Sequence, residues 1–267
     1  MLRFIYSSAV LLGFALIIGA AAAWFAFGGG RHYPDLTTAP ILGRDALEAA
    51  VVFERPIGNA AVAADGRIFF TVHPESHPEN PKLYVWNDDE ALPFPDAARQ
   101  SELFQSPLGL VIDRRGRLWI IDPGHHGLGD PSLTAIDLAS GEIVHRHLFN
   151  NTIAPPGSFL QDLQIDSNGR SIYIADVGFW AKRPALIVYD VEHQAVVKLS
   201  PDGSLETLIK DERIRWADGL SFGPDGWLYL ADSAIPHLVL QSPSHIAGQS
   251  PFFIWRFKPG SRAATGQ

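Results

Sequence analysis

Four stretches of this chain repeat one pattern: an alternating apolar run, a tight turn closed by glycine, and a second apolar run. They are Asn59–Phe70, Gly109–Asp122, Asp162–Asp176 and Gly219–Asp232, with turn glycines at Gly66, Gly116, Gly169 and Gly226. The spacings are therefore 50, 53 and 57 residues. A tight hairpin forces a positive φ that glycine adopts without steric cost. Alternation with a period of two on both sides of the turn is the mark of strands. A period near 50 with about four short strands per unit is the signature of a β-propeller. A β-sandwich with unrelated hairpins would not keep four turns in register. Further strands are expected at Lys82–Trp86, Leu133–Asp137, Ile143–Leu148, Ala185–Asp190, Ala195–Leu199 and Phe252–Phe257, and Ala49–Glu54 is expected to join Phe252–Phe257 and tie the two ends.

Composition supports this reading and removes others. Twenty-four glycines and 20 prolines imply many turns, and 46% hydrophobic residues argue against a disordered chain. With 29 acidic against 21 basic residues the formal charge is −8, which argues against nucleic-acid partners. There is no cysteine, so no disulfide framework is available.

The first thirty residues differ from the rest. Phe4 to Phe27 are 24 residues without a charge. As a helix they extend about 36 Å at about 1.5 Å per residue, against a bilayer core of about 30 Å. The expectation is a signal anchor or signal peptide over 1–30, with a joint at Gly28–Gly30, and a propeller domain over 31–267. Either form of export implies an extracytoplasmic location, with the N-terminal helix as the contact to the membrane.

The segments resemble the major royal jelly / Yellow protein family in its bacterial branch. The carriers are Gly58–Gly66, Leu118–Gly124, Phe159–Leu163, Tyr173–Asp176, Leu186–Asp190 and Trp216–Gly226, in that order, within about Ala46–Phe257. The turn pattern is more distantly similar to the gluconolactonase/regucalcin propellers. The resemblance implies a six-bladed ring. Only four inner repeats are visible here, and the 232 residues after Asp35 make about four and a half blades at about 50 each. The break is expected near Asp190–Ala195, leaving a ring of four to five blades that is incomplete or reclosed.

The first residues of inner strands gather at one mouth of a propeller channel. That places Asn59, Gln161, Asp162 and Asp218 together. Carboxylates and an amide can hold a hard cation such as calcium, with Asp162, Asp218 and Asn59 as ligands. They can also shift one another's pKa and act as an acid/base pair. The alternative is that each side chain bonds its own strand or turn. In the gluconolactonase group, Glu, Asn and Asp at comparable positions bind a metal, and Asn59 stands where that Glu is expected. His125 and His126 lie in a loop that reaches the mouth and are further ligand-binding candidates. Asp122, Asp176 and Asp232 recur at one place in the repeat and read as turn formers. His73/His77 and His145/His147 lack the helical frame of a zinc peptidase. No nucleophile elbow or phosphate loop is present.

The resemblance implies a protein that binds a small molecule at the channel mouth and isomerises it, as some insect members convert dopachrome. The alternatives are a metal-dependent lactonase or hydrolase of the gluconolactonase type and a non-enzymatic binding scaffold.

Overall fold

The computed structural model describes residues 2–26, 34–165, 172–177, 195–199 and 205–260. The chain divides into two compact units, Met1–Leu36 and Thr37–Gln267.

The first unit contains one helix, α1 (Leu2–Ala26), with exposed apolar side chains such as Leu11, Phe14, Ile17 and Trp24. Among the described residues no helix is long and apolar enough to cross a membrane.

The second unit is built from antiparallel sheets, as the repeats require. Its first sheet is β2 (Ile57–Val62), β3 (Ile68–Val72), β4 (Leu83–Asn87) and β5 (Glu90–Pro93), hydrogen-bonded in that order. The second is β6 (Leu110–Ile112), β7 (Arg117–Asp122), β8 (Ser132–Asp137) and β9 (Ile143–Leu148). Two two-stranded sheets follow, β10 (Leu160–Ile165) with β11 (Ile172–Asp176), and β12 (Ala195–Leu199) with β13 (Leu205–Lys210). The last sheet orders β14 (Ala217–Phe222), β15 (Leu228–Asp232), β16 (Phe252–Phe257) and β1 (Glu48–Phe53). In each four-stranded sheet consecutive strands pair as a meander, with β1 added to β16 in the last, which is the layout of a propeller blade. The described hairpin glycines Gly66, Gly116 and Gly226 have φ of 90°, 71° and 73°.

The two ends are tied as expected. β1 pairs antiparallel with β16 from Glu48↔Arg256 to Phe53↔Phe252, so the first strand completes the last blade. Such closure removes an edge that would otherwise stay open to aggregation.

Apolar faces between neighbouring sheets form the core. Phe70, Ile57 and Val72 pack with Phe252 and Ile254 between the first and last sheets. Phe69, Leu118 and Ile120 join the first and second. Trp119 and Ile121 join the second to β10 through Leu160 and Leu163. Val196 and Ile209 pack on Leu230 and Trp255 of the last sheet. Phe69, Phe70, Phe252 and Phe257 are fully buried, each contributing about 1.5–3 kcal/mol relative to exposure. Among the described residues no hydrophobic cluster joins β10–β11 to β12–β13, the side where the shortened repeat was expected. The expected strand Ala185–Asp190 and the break at Asp190–Ala195 lie outside the described residues, apart from Ala195, which opens β12.

Two short helical pieces bear on the site. The turn Pro74–Ser76 follows β3, and α2 (Ala97–Leu103) links the first and second sheets, capped by Asp96. Gln100 of α2 is buried and binds the backbone of Lys82, Leu83 and Phe94, which fixes the outer part of the first blade.

Candidate functional site

The inner strands β2, β6, β10 and β14 face a shared cavity of about 290 Å³, lined at one end by Asn59, Asp162 and Gly219 and deeper in by Leu110, Ile112, Ser221 and Phe222. Its size falls at the lower edge of small-molecule pockets, about 300–1,000 Å³.

Local irregularity opens three of these strands. β2, β10 and β14 carry one extra residue near their first positions, where the register with the neighbouring strand shifts. Such bulges bend a strand and re-aim its side chains. In β2 the backbone N–H of Asn59 donates to Thr71 Oγ1 (3.1 Å), whose hydroxyl donates to Leu108 O (2.9 Å). One hydroxyl thus ties the first blade to the second at the mouth.

Asn59, Gly109, Asp162 and Gly219 occupy the same position relative to the turn glycine in their repeats. The two glycines make room for their neighbours. A Cβ at Gly219 would lie 2.4 Å from Asn59 Oδ1, and one at Gly109 would lie 2.6 Å from Gln161 O and 3.0 Å from Asp162 Cα. Close approach therefore brings the amide and carboxyl groups around the axis.

The expected site residues then divide. Asn59 is buried, and its Oδ1 accepts the N–H of Ala60 at 2.7 Å. Asp162 Oδ1 accepts the N–H of Leu163 at 2.8 Å. Both side chains thus also serve their own strands. Gln161 lies within the bulge of β10 and is half-buried. Burial pushes the Asp162 carboxyl up to about 6; the Leu163 N–H opposes the rise and the Asp218 carboxylate adds to it. The Asp218 carboxylate is thus near enough to act on Asp162.

Asp218 is held differently. Its Oδ2 is buried and, among the described residues, has no hydrogen-bond partner, with His73 Nε2 3.5 Å away. His73 is 2% exposed, and its Nδ1 accepts the N–H of Glu75 at 3.2 Å.

Among the described residues no group of three or more His, Asp or Glu side chains is placed to hold a metal ion.

His125 and His126 lie between β7 and β8, at the end of the sheets where the inner strands begin. They are not in an ordinary loop. Gly124, His125, His126 and Gly127 have φ of 56°, 50°, 59° and 73°, a full left-handed turn closed by Gly127 N–H to Pro123 O (2.9 Å). The conformation costs about 1–2 kcal/mol at each histidine. It is held by Asp122 Oδ1 on Gly124 N–H, Ser106 Oγ on His125 N–H, and His126 O accepting from Gly157 N–H. His125 is exposed; His126 Nε2 lies 2.9 Å from Glu75 Oε1 and its ring contacts Phe159. The pair bridges the mouth loops of the first and second blades.

The three recurrent aspartates are structural. Asp122 accepts from Gln105 N–H, Ser106 N–H, Ser106 Oγ–H and Gly124 N–H. Asp176 accepts from Phe159 N–H, and Asp232 from the N–H groups of Arg215 and Trp216 and from Arg215 Nε. In each blade the carboxylate pins the segment that enters the inner strand.

His73 and Glu75 were not singled out as site residues by the sequence. A signal existed: where the other three repeats end their second strand in Asp, the first has Val72 followed by His73. The aspartates bind N–H groups of the entering segment, and of the two corresponding residues in the first blade, Arg55 and Pro56, the second has no N–H. There the strand runs on to a buried histidine.

Residues 105–226 match the family model of the major royal jelly protein, within the stretch whose motifs resemble that family. A comparison with curated proteins finds no match. Among solved structures the chain is similar to a gluconolactonase from Xanthomonas campestris, at 15% identity over 76% of this chain and 56% of that one, with a TM-score of 0.33. It is also similar to virginiamycin B lyase from Staphylococcus aureus, at 14% identity over 70% and 67%, TM-score 0.32. A luciferin-regenerating enzyme gives 13% identity over 84% and 64%, TM-score 0.33. The chain spans between half and two thirds of the length of the structures it matches first, 56%, 55% and 52%.

Proposed function

We propose that the protein is a Yellow-like propeller, held outside the cytoplasm through its N-terminal helix, that binds a small molecule at the channel mouth and isomerises it by moving a proton. The observation that carries this reading is Asp162 at the head of an inner strand, lining a cavity of about 290 Å³, with the Asp218 carboxylate near enough to act on it. An isomerisation needs one group to take a proton from the substrate and another to return one, with no oxidant or reductant. Asp218 as carboxylate serves as the base. Asp162, whose carboxyl burial pushes up to about 6, keeps a protonated fraction near neutral pH and serves as the acid. The uncharged segment Phe4–Phe27 supports the location.

The test is tautomerisation of dopachrome by the full chain, beside the variants Asp162→Asn and Asp218→Asn. The reading expects turnover that falls at least a hundredfold in both variants while their melting temperatures stay at or above that of the parent. Equal rates in all three proteins, or the absence of both turnover and any ligand-induced thermal shift, would remove it.

A further inference from the structure

We propose that His73 is the positioning residue of this mouth: fixed as its Nε2–H tautomer, it holds one oxygen of Asp218 away from the channel and so orients the carboxylate that faces Asp162. The inference rests on the acid/base reading above for its purpose, but its geometry stands independently.

The backbone around His73 leaves the ring little freedom. His73 N–H donates to Pro56 O at 2.8 Å, and Ser76 Oγ–H donates to His73 O at 2.7 Å. Pro74 opens the short helical turn Pro74–Ser76, for which His73 is the cap. In that cap the imidazole is the acceptor: Nδ1 receives the N–H of Glu75. A neutral imidazole accepts at one nitrogen and donates at the other, so the proton sits on Nε2. The only acid that Nε2 meets among the described residues is Asp218 Oδ2, at 3.5 Å.

The other side of the contact is equally constrained. Asp218 Oδ2 is buried and has no hydrogen bond among the described residues, although buried acceptors are nearly always satisfied. The side chain is 11% exposed, so that exposure lies on the rest of the carboxylate and its methylene. A contact of 3.5 Å is long for a hydrogen bond, but bonds of this kind commonly tighten when a ligand occupies the site. Glu75, which fixes the tautomer with its backbone, also meets His126 through its side chain, so the mouth loops and the acid share one support.

The experiment is nitrogen-15 NMR of the imidazoles in the full chain, with the Asp218 carboxyl carbon followed in His73→Asn and His73→Gln. Asn keeps an acceptor for the Glu75 N–H and loses the donor to Asp218; Gln places an amide donor near the former Nε2. The expected result is a single Nε2–H tautomer at His73, an Asp218 carboxyl signal displaced in His73→Asn, and its return toward the parent position in His73→Gln. An Nδ1–H or averaging tautomer at His73 would overturn the inference, as would an Asp218 signal that moves equally in both variants or in neither. These readouts do not depend on dopachrome turnover, so failure of the proposed activity is seen separately.

Discussion

Replacing Asp162 by Asn should stabilise the protein above pH 6 and leave it unchanged near pH 4. In the folded state burial pushes this carboxyl from 3.8 to about 6, whereas in the unfolded chain it titrates near its ordinary value. Between those two values the native state binds more protons than the unfolded state, so stability falls as pH rises. Each pH unit in that window is worth about 1.4 kcal/mol, so the ionised acid costs the fold about 3 kcal/mol at neutral pH. Asn has nearly the same shape and still accepts the Leu163 N–H, which Asp162 Oδ1 accepts at 2.8 Å. At about 2–4 °C per kcal/mol for a domain of this size, the variant should melt about 6–12 °C above the parent at pH 7.5. The two curves should meet near pH 4. Thermal melts from pH 4 to pH 8 give the difference directly. A difference that is constant across this range, or a variant less stable than the parent at pH 7.5, would refute the claim that a buried, charge-coupled carboxyl sits at this position.

Three further outcomes follow from the geometry. Asp122→Ala removes an acceptor shared by four donors and should cost at least about 3 kcal/mol in denaturant unfolding. Gly219→Ala places a Cβ 2.4 Å from Asn59 Oδ1 and should cost about 1–3 kcal/mol; adding Asn59→Ala should restore most of it, a coupling that a double-mutant cycle measures. Val51 is 1% exposed in the strand that closes the last blade, so Val51→Asp should lower stability by at least about 3 kcal/mol and promote aggregation seen in light scattering.

Much of the architecture was legible because the repeat is local. The hairpins around Gly66, Gly116 and Gly226 need only neighbouring residues: an apolar alternation on each side and a glycine at positive φ. The closure of β1 on β16 was legible for a different reason. Val51 and Phe53, like Phe252 and Ile254, needed a partner face, and the chain ends supplied one another. The recurrence of Asp122, Asp176 and Asp232 also read correctly, since each answers the same unsatisfied N–H groups. The candidate site was legible only in part. Asn59, Asp162 and Asp218 were placed by counting back from the turn glycines, but counting could not show that Asn59 and Asp162 each bond their own strand. Nor could it reveal His73, which enters from a loop of the first blade to meet an acid of the last.

The sequence alone determined that the chain folds into glycine-closed hairpins of about four strands per unit, because strand alternation and turn conformation depend on adjacent residues. The tertiary structure decided which polar groups share a site. Burial set the Asp162 carboxyl near 6, and the left-handed turn at His125–His126 linked two blades through Glu75. Those properties come from groups distant in sequence that desolvate and charge one another only after the blades have packed.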